Sequence, residues 1–160
     1  MPFSHRRRVE FRDTDAAGIA HFSVFFPMME EAEHAALRHL GLRVLQPTGN
    51  GEHLTWPRVA AQCDYLAPAR FEETLRIDVS VLKLGTSSVT YGFAFFRESD
   101  LAALDAGTTS GAAQGDALSG AAEPIARGSV TAVCCLLTVG QPLRKQPIPD
   151  DLRELLGRLA

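Results

Sequence analysis

Two different hydrophobic periods follow one another at the beginning of the chain. From Arg6 to Arg12 apolar and polar residues alternate, which is typical of a half-buried strand. After Gly18 apolar residues recur at steps of three and four, which predicts a helix with a broad apolar face. The apolar positions of that helix are Phe22, Phe25, Phe26, Met29, Ala32, Ala36, Leu37 and Leu40. Gly41 comes next and is suited to end the helix, because glycine readily adopts the left-handed conformation found there.

The beginning of this helix carries two conflicting signals. Ser23 is a good N-cap residue, but a helix capped there would have Pro27 at its fourth position, where the missing N–H forfeits a hydrogen bond. We therefore expect either an irregular first turn or a helix that begins nearer Pro27.

Strand patterns account for most of the remaining chain. They predict four further strands, at Leu54–Tyr65, Phe71–Leu84, Ser88–Phe96 and Ile125–Val139. The second and third of these form a hairpin around Gly85-Thr86, and a short helix is predicted at Asp150–Leu159. About five antiparallel strands with one long helix indicate an α+β domain whose sheet curls around the helix. We expect residues 1–160 to form this single domain, since the length suits one core.

The segment Ser99–Glu123 has a different composition, rich in Ala, Gly, Ser and Thr. Its only large apolar side chains are Leu101, Leu104 and Leu118. These are too few to offset a backbone ordering cost of about 1–2 kcal/mol per residue. We therefore predict a flexible hairpin extension between the last two long strands.

Composition and charge exclude several classes of function. The formal net charge is −3 and there is no basic stripe, so we expect no nucleic-acid surface. The one basic run, His5–Arg8, is interpreted as a solvated strand end. The sequence shows neither a leader nor an apolar run long enough to span a membrane. The three cysteines have no C-x-x-C spacing, so they do not suggest a metal site. We expect a soluble cytoplasmic protein with no metal site and no membrane partner.

The most specific motif lies between the first strand and the helix, where Phe11–Ile19 reads FRDTDAAGI. It resembles the D-x-D-x-x-G-[IV] signature of hotdog-fold acyl-CoA thioesterases of the 4-hydroxybenzoyl-CoA thioesterase-like family. The segments Asp64–Pro68, Leu75–Ile77 and Ala126–Gly128 are similar to later strands of that family. The resemblance covers nearly the whole chain except Ser99–Glu123. It implies a hotdog fold and hydrolysis of an acyl- or aroyl-CoA to free acid and CoA, with no cofactor.

The two acids of the motif are expected to have different roles. The resemblance implies that Asp15 is the catalytic carboxylate, acting either as nucleophile through an acyl-enzyme anhydride or as general base on water. Asp13 is interpreted as structural, accepting hydrogen bonds from N–H groups of the turn. Free N–H groups at the helix N-terminus can stabilise the oxyanion of a thioester, and the backbone N–H of Phe22 is the expected donor.

Further site residues follow from the same resemblance. Many relatives have a histidine seven residues after the catalytic Asp, where this chain has Phe22. His21 stands one residue earlier, and either lines the site or has a packing role. Gly18 and Ile19 belong to a loop of small and aliphatic residues that a thioester can approach. The hairpin from Lys83 to Ser88 is expected to contact the CoA nucleotide through those two residues.

Two other functions and an assembly remain open at this stage. A non-catalytic acyl-CoA-binding module would not need Asp15. A hotdog dehydratase or hydratase would need a histidine paired with a helix carboxylate, for which His21 with Glu30 or Glu31 is the only candidate. The resemblance and an open strand edge both imply a homodimer or homotetramer with a shared active site.

Overall fold

The computed structural model describes residues 3–107 and 122–160, which form a five-stranded antiparallel sheet with a long helix packed on one face. The elements in chain order are β1 (Phe3–Arg8), α1 (Phe25–His39), β2 (Gln46–Pro47), β3 (His53–Thr55), β4 (Arg58–Tyr65), β5 (Thr74–Leu84), β6 (Ser88–Arg97), α2 (Glu98–Gly107), β7 (Ala126–Val133), β8 (Cys135–Leu137), β9 (Arg144–Lys145) and α3 (Asp150–Gly157). The main sheet has the order β1-β5-β6-β7-β4, and β2, β3, β8 and β9 form a small second sheet. The predicted α+β architecture of a long helix on an antiparallel sheet is confirmed.

The first strand ends earlier than its alternation predicted. β1 pairs with β5 from Phe3 to Arg8, and Val9 is buried beyond its end. The alternation from Arg6 to Arg12 places Phe11 on the same side of a strand as Val9, but Phe11 is exposed and begins a 3-10 turn. The turn forms because the Asp13 N–H donates to the Glu10 carbonyl and the Asp13 carboxylate accepts the Glu10 N–H. Local side-chain hydrogen bonds of this kind compete with a strand ladder.

The helix begins with the irregular turn that Pro27 requires. A 3-10 turn covers Phe22–Val24, and α1 follows from Phe25. Pro27 therefore lies in the first α-helical turn, where its N–H would have no intrahelical acceptor. At the other end Gly41 has a φ of +76° and terminates the helix as predicted.

Two of the predicted strands are interrupted where the chain passes between the sheets. Leu54–Tyr65 is divided into β3 and β4 at Trp56-Pro57, because proline cannot donate to a ladder. Ile125–Val139 is divided into β7 and β8 at Cys134, whose N–H donates to the Ser87 carbonyl instead. β5 and β6 form the predicted hairpin around Gly85-Thr86, and their register shifts between Val81 and Lys83.

The predicted hairpin extension is wrong in its first part. Residues Glu98–Gly107 form α2, which continues directly from β6. Alanine-rich composition favours a helix, and Glu98 and Asp100 lie at its N-terminus, where negative charge is stabilising. Arg6 and Arg97 pair with these two acids. Residues 108–121 of the predicted extension lie outside the described residues.

The core lies between α1 and the sheet. The buried apolar residues of the helix pack against inward side chains of β5, β6 and β7, and they are Phe25, Met28, Met29, Ala32, Ala36 and Leu37. Gly128 in β7 allows this close approach, since a Cβ there would lie 2.2 Å from the Met29 sulfur. Among the described residues no helix has the length and apolar character needed to cross a membrane.

Candidate active site

The loop between β1 and α1 is closed by a tight turn around Asp15. The Asp15 N–H donates to the Ile19 carbonyl at 2.9 Å, and the Gly18 N–H donates to the Asp15 carbonyl at 3.0 Å. Gly18 has a φ of +73°, which glycine adopts at low cost and other residues rarely do. The turn therefore presents Asp15 at a fixed point beside the helix start.

A second loop, residues 66–71, is joined to this turn. The Ala20 N–H donates to the Ala69 carbonyl at 2.8 Å, and the Phe71 N–H donates to the Gly18 carbonyl at 3.3 Å. Ile19 also forms an isolated antiparallel bridge with Arg70. The end of β4 and the beginning of α1 are thereby held side by side.

A cavity of about 580 Å³ lies between these two loops and the start of α1. It is lined by Asp15, Ile19, Ala20, His21, Phe22, Phe25, Tyr65, Leu66, Ala67, Pro68 and Ala69. Its volume lies within the range of small-molecule sites, and its walls are mainly apolar with a few polar groups, as such sites usually are.

Asp15 is the only carboxylate among the residues that line this cavity. One of its oxygens accepts the Ala17 N–H at 2.8 Å, so the side chain supports its own turn. Among the described residues no other hydrogen bond to this carboxylate is found, which leaves its second oxygen available to a ligand.

Asp13 is buried beneath the turn and is paired with Arg7. Only 5% of Asp13 is exposed. Arg7 donates to both of its carboxylate oxygens, and the Glu10 N–H donates to one of them at 2.8 Å. Arg7 also contacts Glu31 of α1 at 3.2 Å. The structural interpretation of Asp13 is confirmed, and the interpretation of the whole basic run as solvated is wrong for Arg7.

Two opposing effects set the pKa of Asp13. Burial by itself would raise the pKa of this carboxyl. The hydrogen bonds from Arg7 and from the Glu10 N–H, together with the positive charge of Arg7, outweigh burial and hold the pKa below its usual value. Asp13 is therefore a charged anchor beneath the site.

The helix start supplies a second polar edge of the cavity. The His21 N–H donates to the Asp13 carbonyl at 2.8 Å, which ties this junction to the buried acid. The Phe22 N–H has no hydrogen-bond acceptor among the described residues, as expected for the first residue of a helical turn. His21 Nδ1 lies 2.8 Å from Ser23 Oγ, and its ring contacts that of Phe22.

Tyr65 is a site residue that was not identified from the sequence. Its ring packs edge to face on Phe25, with centroids 5.2 Å apart, and its hydroxyl donates to the Phe22 carbonyl at 2.8 Å. One signal in the sequence could have identified it, because Tyr65 belongs to the segment Asp64–Pro68 that resembles the thioesterase family. Tyr65 and the residues after it form one wall of the cavity.

The predicted site residues are only partly brought together in the single chain. Asp15, Ile19, His21 and Phe22 all line the cavity, and Gly18 forms the turn next to it. Lys83 lies on β5 and Ser88 on β6, and neither is among the lining residues. The functional roles given to these residues remain predictions.

The chain is similar to several known proteins. The model of the Thioesterase superfamily matches residues 17–103. A putative esterase from Aquifex aeolicus (strain VF5) is 32% identical over 108 residues, which cover 68% of this chain and 82% of the esterase. A 1,4-dihydroxy-2-naphthoyl-CoA hydrolase from Thermosynechococcus vestitus is 32% identical over 94 residues, covering 59% of this chain and 64% of the hydrolase.

A solved structure has the same fold over almost the entire chain. It is that of a 1,4-dihydroxy-2-naphthoyl-CoA thioesterase from Synechocystis, with a TM-score of 0.71. The alignment covers 98% of this chain and 96% of the other, at 21% identity. This likeness shows the fold.

Proposed function

The chain belongs to the thioesterase superfamily and is a thioester hydrolase, and from that premise we propose that it cleaves an acyl- or aroyl-CoA at the Asp15 cavity. The supporting observation is that one mainly apolar cavity is lined by both the Asp15 carboxylate and the helix start at Phe22. CoA is part of the substrate, and we propose no further cofactor.

The proposed chemistry has two requirements, a group that attacks and a group that holds the oxyanion. Asp15 either attacks the thioester carbonyl carbon to form an anhydride, or takes a proton from a water that attacks it. The carbonyl oxygen becomes negative and accepts a hydrogen bond from the Phe22 N–H. The carbon–sulfur bond then breaks, CoA leaves as the thiolate and takes up a proton, and hydrolysis yields the free acid.

We propose an aromatic acyl group as the preferred substrate. The named function of the Thermosynechococcus relative is hydrolysis of an aromatic acyl-CoA, and the rings of Phe22, Phe25 and Tyr65 line this cavity. The test is free-thiol release from a panel of acyl-CoA esters. We expect aromatic esters to be cleaved faster than aliphatic esters of equal carbon number. Binding without thiol release across the panel would favour the non-catalytic module instead.

The dehydratase alternative receives no support from the surroundings of His21. Glu31 accepts a hydrogen bond from Arg7 at 3.2 Å, and Glu30 lies 3.9 Å from His34. Neither acid is among the residues that line the Asp15 cavity. Within residues 3–107 and 122–160, His21 therefore has no helix carboxylate of the kind that such a mechanism uses.

We propose that the protein is a homodimer or homotetramer in which a neighbouring subunit completes the site. β4 forms one edge of the main sheet and is exposed along most of its length, and such edges are normally paired or covered. In this proposal the hairpin carrying Lys83 and Ser88 reaches the CoA nucleotide from another subunit. We also propose a single domain and a cytoplasmic location, consistent with three free cysteines.

Light scattering at micromolar concentration is expected to show at least a dimer. Val59, which is 62% exposed on β4, provides the test. Val59→Lys adds a charge to the edge strand and should weaken the assembly. Val139→Lys is the control, because Val139 follows β8 and is 91% exposed. This variant should leave the oligomeric state unchanged. A wild-type species of 17.3 kDa would contradict the proposal.

His21→Ala is expected to lower turnover by less than about tenfold, because the proposed oxyanion donor is the backbone N–H of Phe22. Loss of a true oxyanion donor typically costs about 10²–10³-fold. The measurement is turnover against pH for wild type and variant. A histidine acting as general acid would add an ionisation near neutral pH. His21 would be assigned to the chemistry if the wild-type pH profile had an ionisation near neutral pH that disappeared in His21→Ala, and if turnover of the variant fell by more than about a hundredfold.

A further inference from the structure

An exposed pair of aromatic rings lies beside the active-site turn. Phe11 is 79% exposed and Phe71 is 43% exposed, and their rings meet edge to face with centroids 6.1 Å apart. Large apolar side chains that are exposed together often mark a binding surface. Arg12 follows Phe11 in the chain and Arg70 precedes Phe71, and both arginines are exposed. We call these four residues the rim patch.

The rim patch is attached to the walls of the Asp15 cavity. The Phe71 N–H donates to the Gly18 carbonyl at 3.3 Å, and Arg70 forms its backbone bridge with Ile19. Thr14 donates to the Phe11 carbonyl through both its N–H and its hydroxyl, at 3.2 and 2.8 Å. Ile19 lines the cavity, so the patch lies just outside it, across the Asp15 turn.

The positive charges of the patch are available to a ligand. Among the described residues the guanidinium groups of Arg12 and Arg70 make no hydrogen bond or ion pair. The neighbouring acids Glu10 and Glu73 are instead paired with other arginines, Arg8 and Arg97, at 3.2 and 3.4 Å. Glu72, which follows Phe71 in the chain, and Asp15 of the adjoining turn are also exposed. The patch therefore combines two aromatic faces with two unpaired cations.

We propose that the rim patch binds one side of the 3′-phospho-ADP end of the CoA substrate, while the hairpin of another subunit that carries Lys83 and Ser88 contacts its other side, an inference that rests on the proposed function. With the thioester carbonyl at Asp15, the pantetheine arm leads out of the cavity, and in this proposal it folds back so that the nucleotide lies on the rim patch. Adenine stacks on aromatic rings, and the planar guanidinium fork of arginine suits phosphate oxygens. The two arginines and the two rings together match the two chemical parts of this nucleotide.

The test compares two substrates that share one acyl group, the best acyl-CoA and the corresponding N-acetylcysteamine thioester, which has no nucleotide. Phe11→Ala/Phe71→Ala and Arg12→Ala/Arg70→Ala are each expected to lower kcat/KM for the CoA ester by about tenfold. Both should leave kcat/KM for the short thioester within about twofold of wild type, because they remove only nucleotide contacts. Matched controls are Leu45→Ala and Arg43→Ala, which change an exposed apolar and an exposed basic residue elsewhere.

Three results would overturn the proposal. The first is that the rim variants lose kcat/KM equally for both substrates, and the second is that they lose it for neither. The third is a change of oligomeric state in light scattering, which would show that the patch is a contact between copies of the chain. Titration calorimetry with CoA gives a second readout that does not depend on turnover. Failure of the proposed function would give a different result. The wild-type protein would then cleave neither thioester, but the rim variants would still bind CoA more weakly than the wild type in calorimetry.

Discussion

Asp15→Asn is expected to lower turnover at least a hundredfold while the fold remains intact. The amide has nearly the same shape, and its oxygen can still accept the Ala17 N–H that supports the turn. It can neither attack the carbonyl carbon effectively nor accept a proton from water. The measurement is kcat on the best acyl-CoA, with thermal unfolding to verify the fold.

Asp64→Asn is the matched control for this variant. Asp64 is exposed next to Tyr65 but is not among the residues that line the cavity, so its neutralisation should leave turnover near the wild-type value. Near-normal turnover by Asp15→Asn across the acyl-CoA panel would reject the assignment of Asp15.

The same residue allows its two possible roles to be separated. In a single turnover in H₂¹⁸O with enzyme in excess, an anhydride mechanism in which water attacks the Asp15 carbonyl leaves ¹⁸O in the Asp15 peptide. General-base catalysis transfers ¹⁸O directly to the product acid and leaves the peptide unlabelled. Mass spectrometry of the digested enzyme therefore identifies a nucleophilic Asp15 if its peptide carries ¹⁸O, whereas an unlabelled peptide is the result both of general-base catalysis and of water attack on the acyl carbonyl of the anhydride.

Asp13→Asn is expected to lower the free energy of unfolding by about 3 kcal/mol and to affect turnover much less than Asp15→Asn does. It leaves the Arg7 side chain, which is mostly buried, without its bidentate partner. Removing one member of a buried pair typically costs about 3–5 kcal/mol, and Glu31 keeps part of the contact here. Urea unfolding of both variants measures this difference. A larger stability loss in Asp15→Asn than in Asp13→Asn would contradict it.

The stability contributed by Asp13 should also depend on pH with a definite sign. The folded-state pKa of this carboxyl is lowered, despite burial, by its hydrogen bonds with Arg7 and the Glu10 N–H. Its contribution is therefore complete above the unfolded pKa of about 3.9 and is lost as pH falls through the folded value. The wild type and Asp13→Asn unfolding curves should converge on acidification. A constant difference at all pH values would show that charge is not the cause.

The sequence predicted the parts of this molecule that local chemistry determines. The change of period after Gly18 located α1, and the D-x-D turn identified the two acids that the structure separates into a buried anchor and a cavity residue. Pro27 predicted the irregular helix start. Each of these signals is contained in a few neighbouring residues, so no knowledge of the tertiary arrangement is needed.

The features that the sequence did not predict depend on partners distant in the chain. Arg7 is adjacent to other basic residues and resembles a solvated charge. Its partner Asp13 is only six residues away, but its second partner, Glu31, comes from α1. Tyr65 acquires its role from the Phe22 carbonyl, 43 residues away. The helix α2 was missed for another reason, since counting large apolar residues ignores the helical preference of alanine.

The joining of the two loops at Ala20–Ala69 and Gly18–Phe71 has a consequence for biosynthesis. The ribosome makes Asp15 before the second loop, so the backbone groups that close its turn against that loop follow only after β4 has been translated. Contacts of such long sequence separation form late in folding, because the loop-closure entropy must be overcome first. A nascent or truncated chain thus exposes the carboxylate without the cavity around it. If Asp15 has its proposed role, we expect hydrolysis only from chains in which residues up to the second loop have been made and have folded.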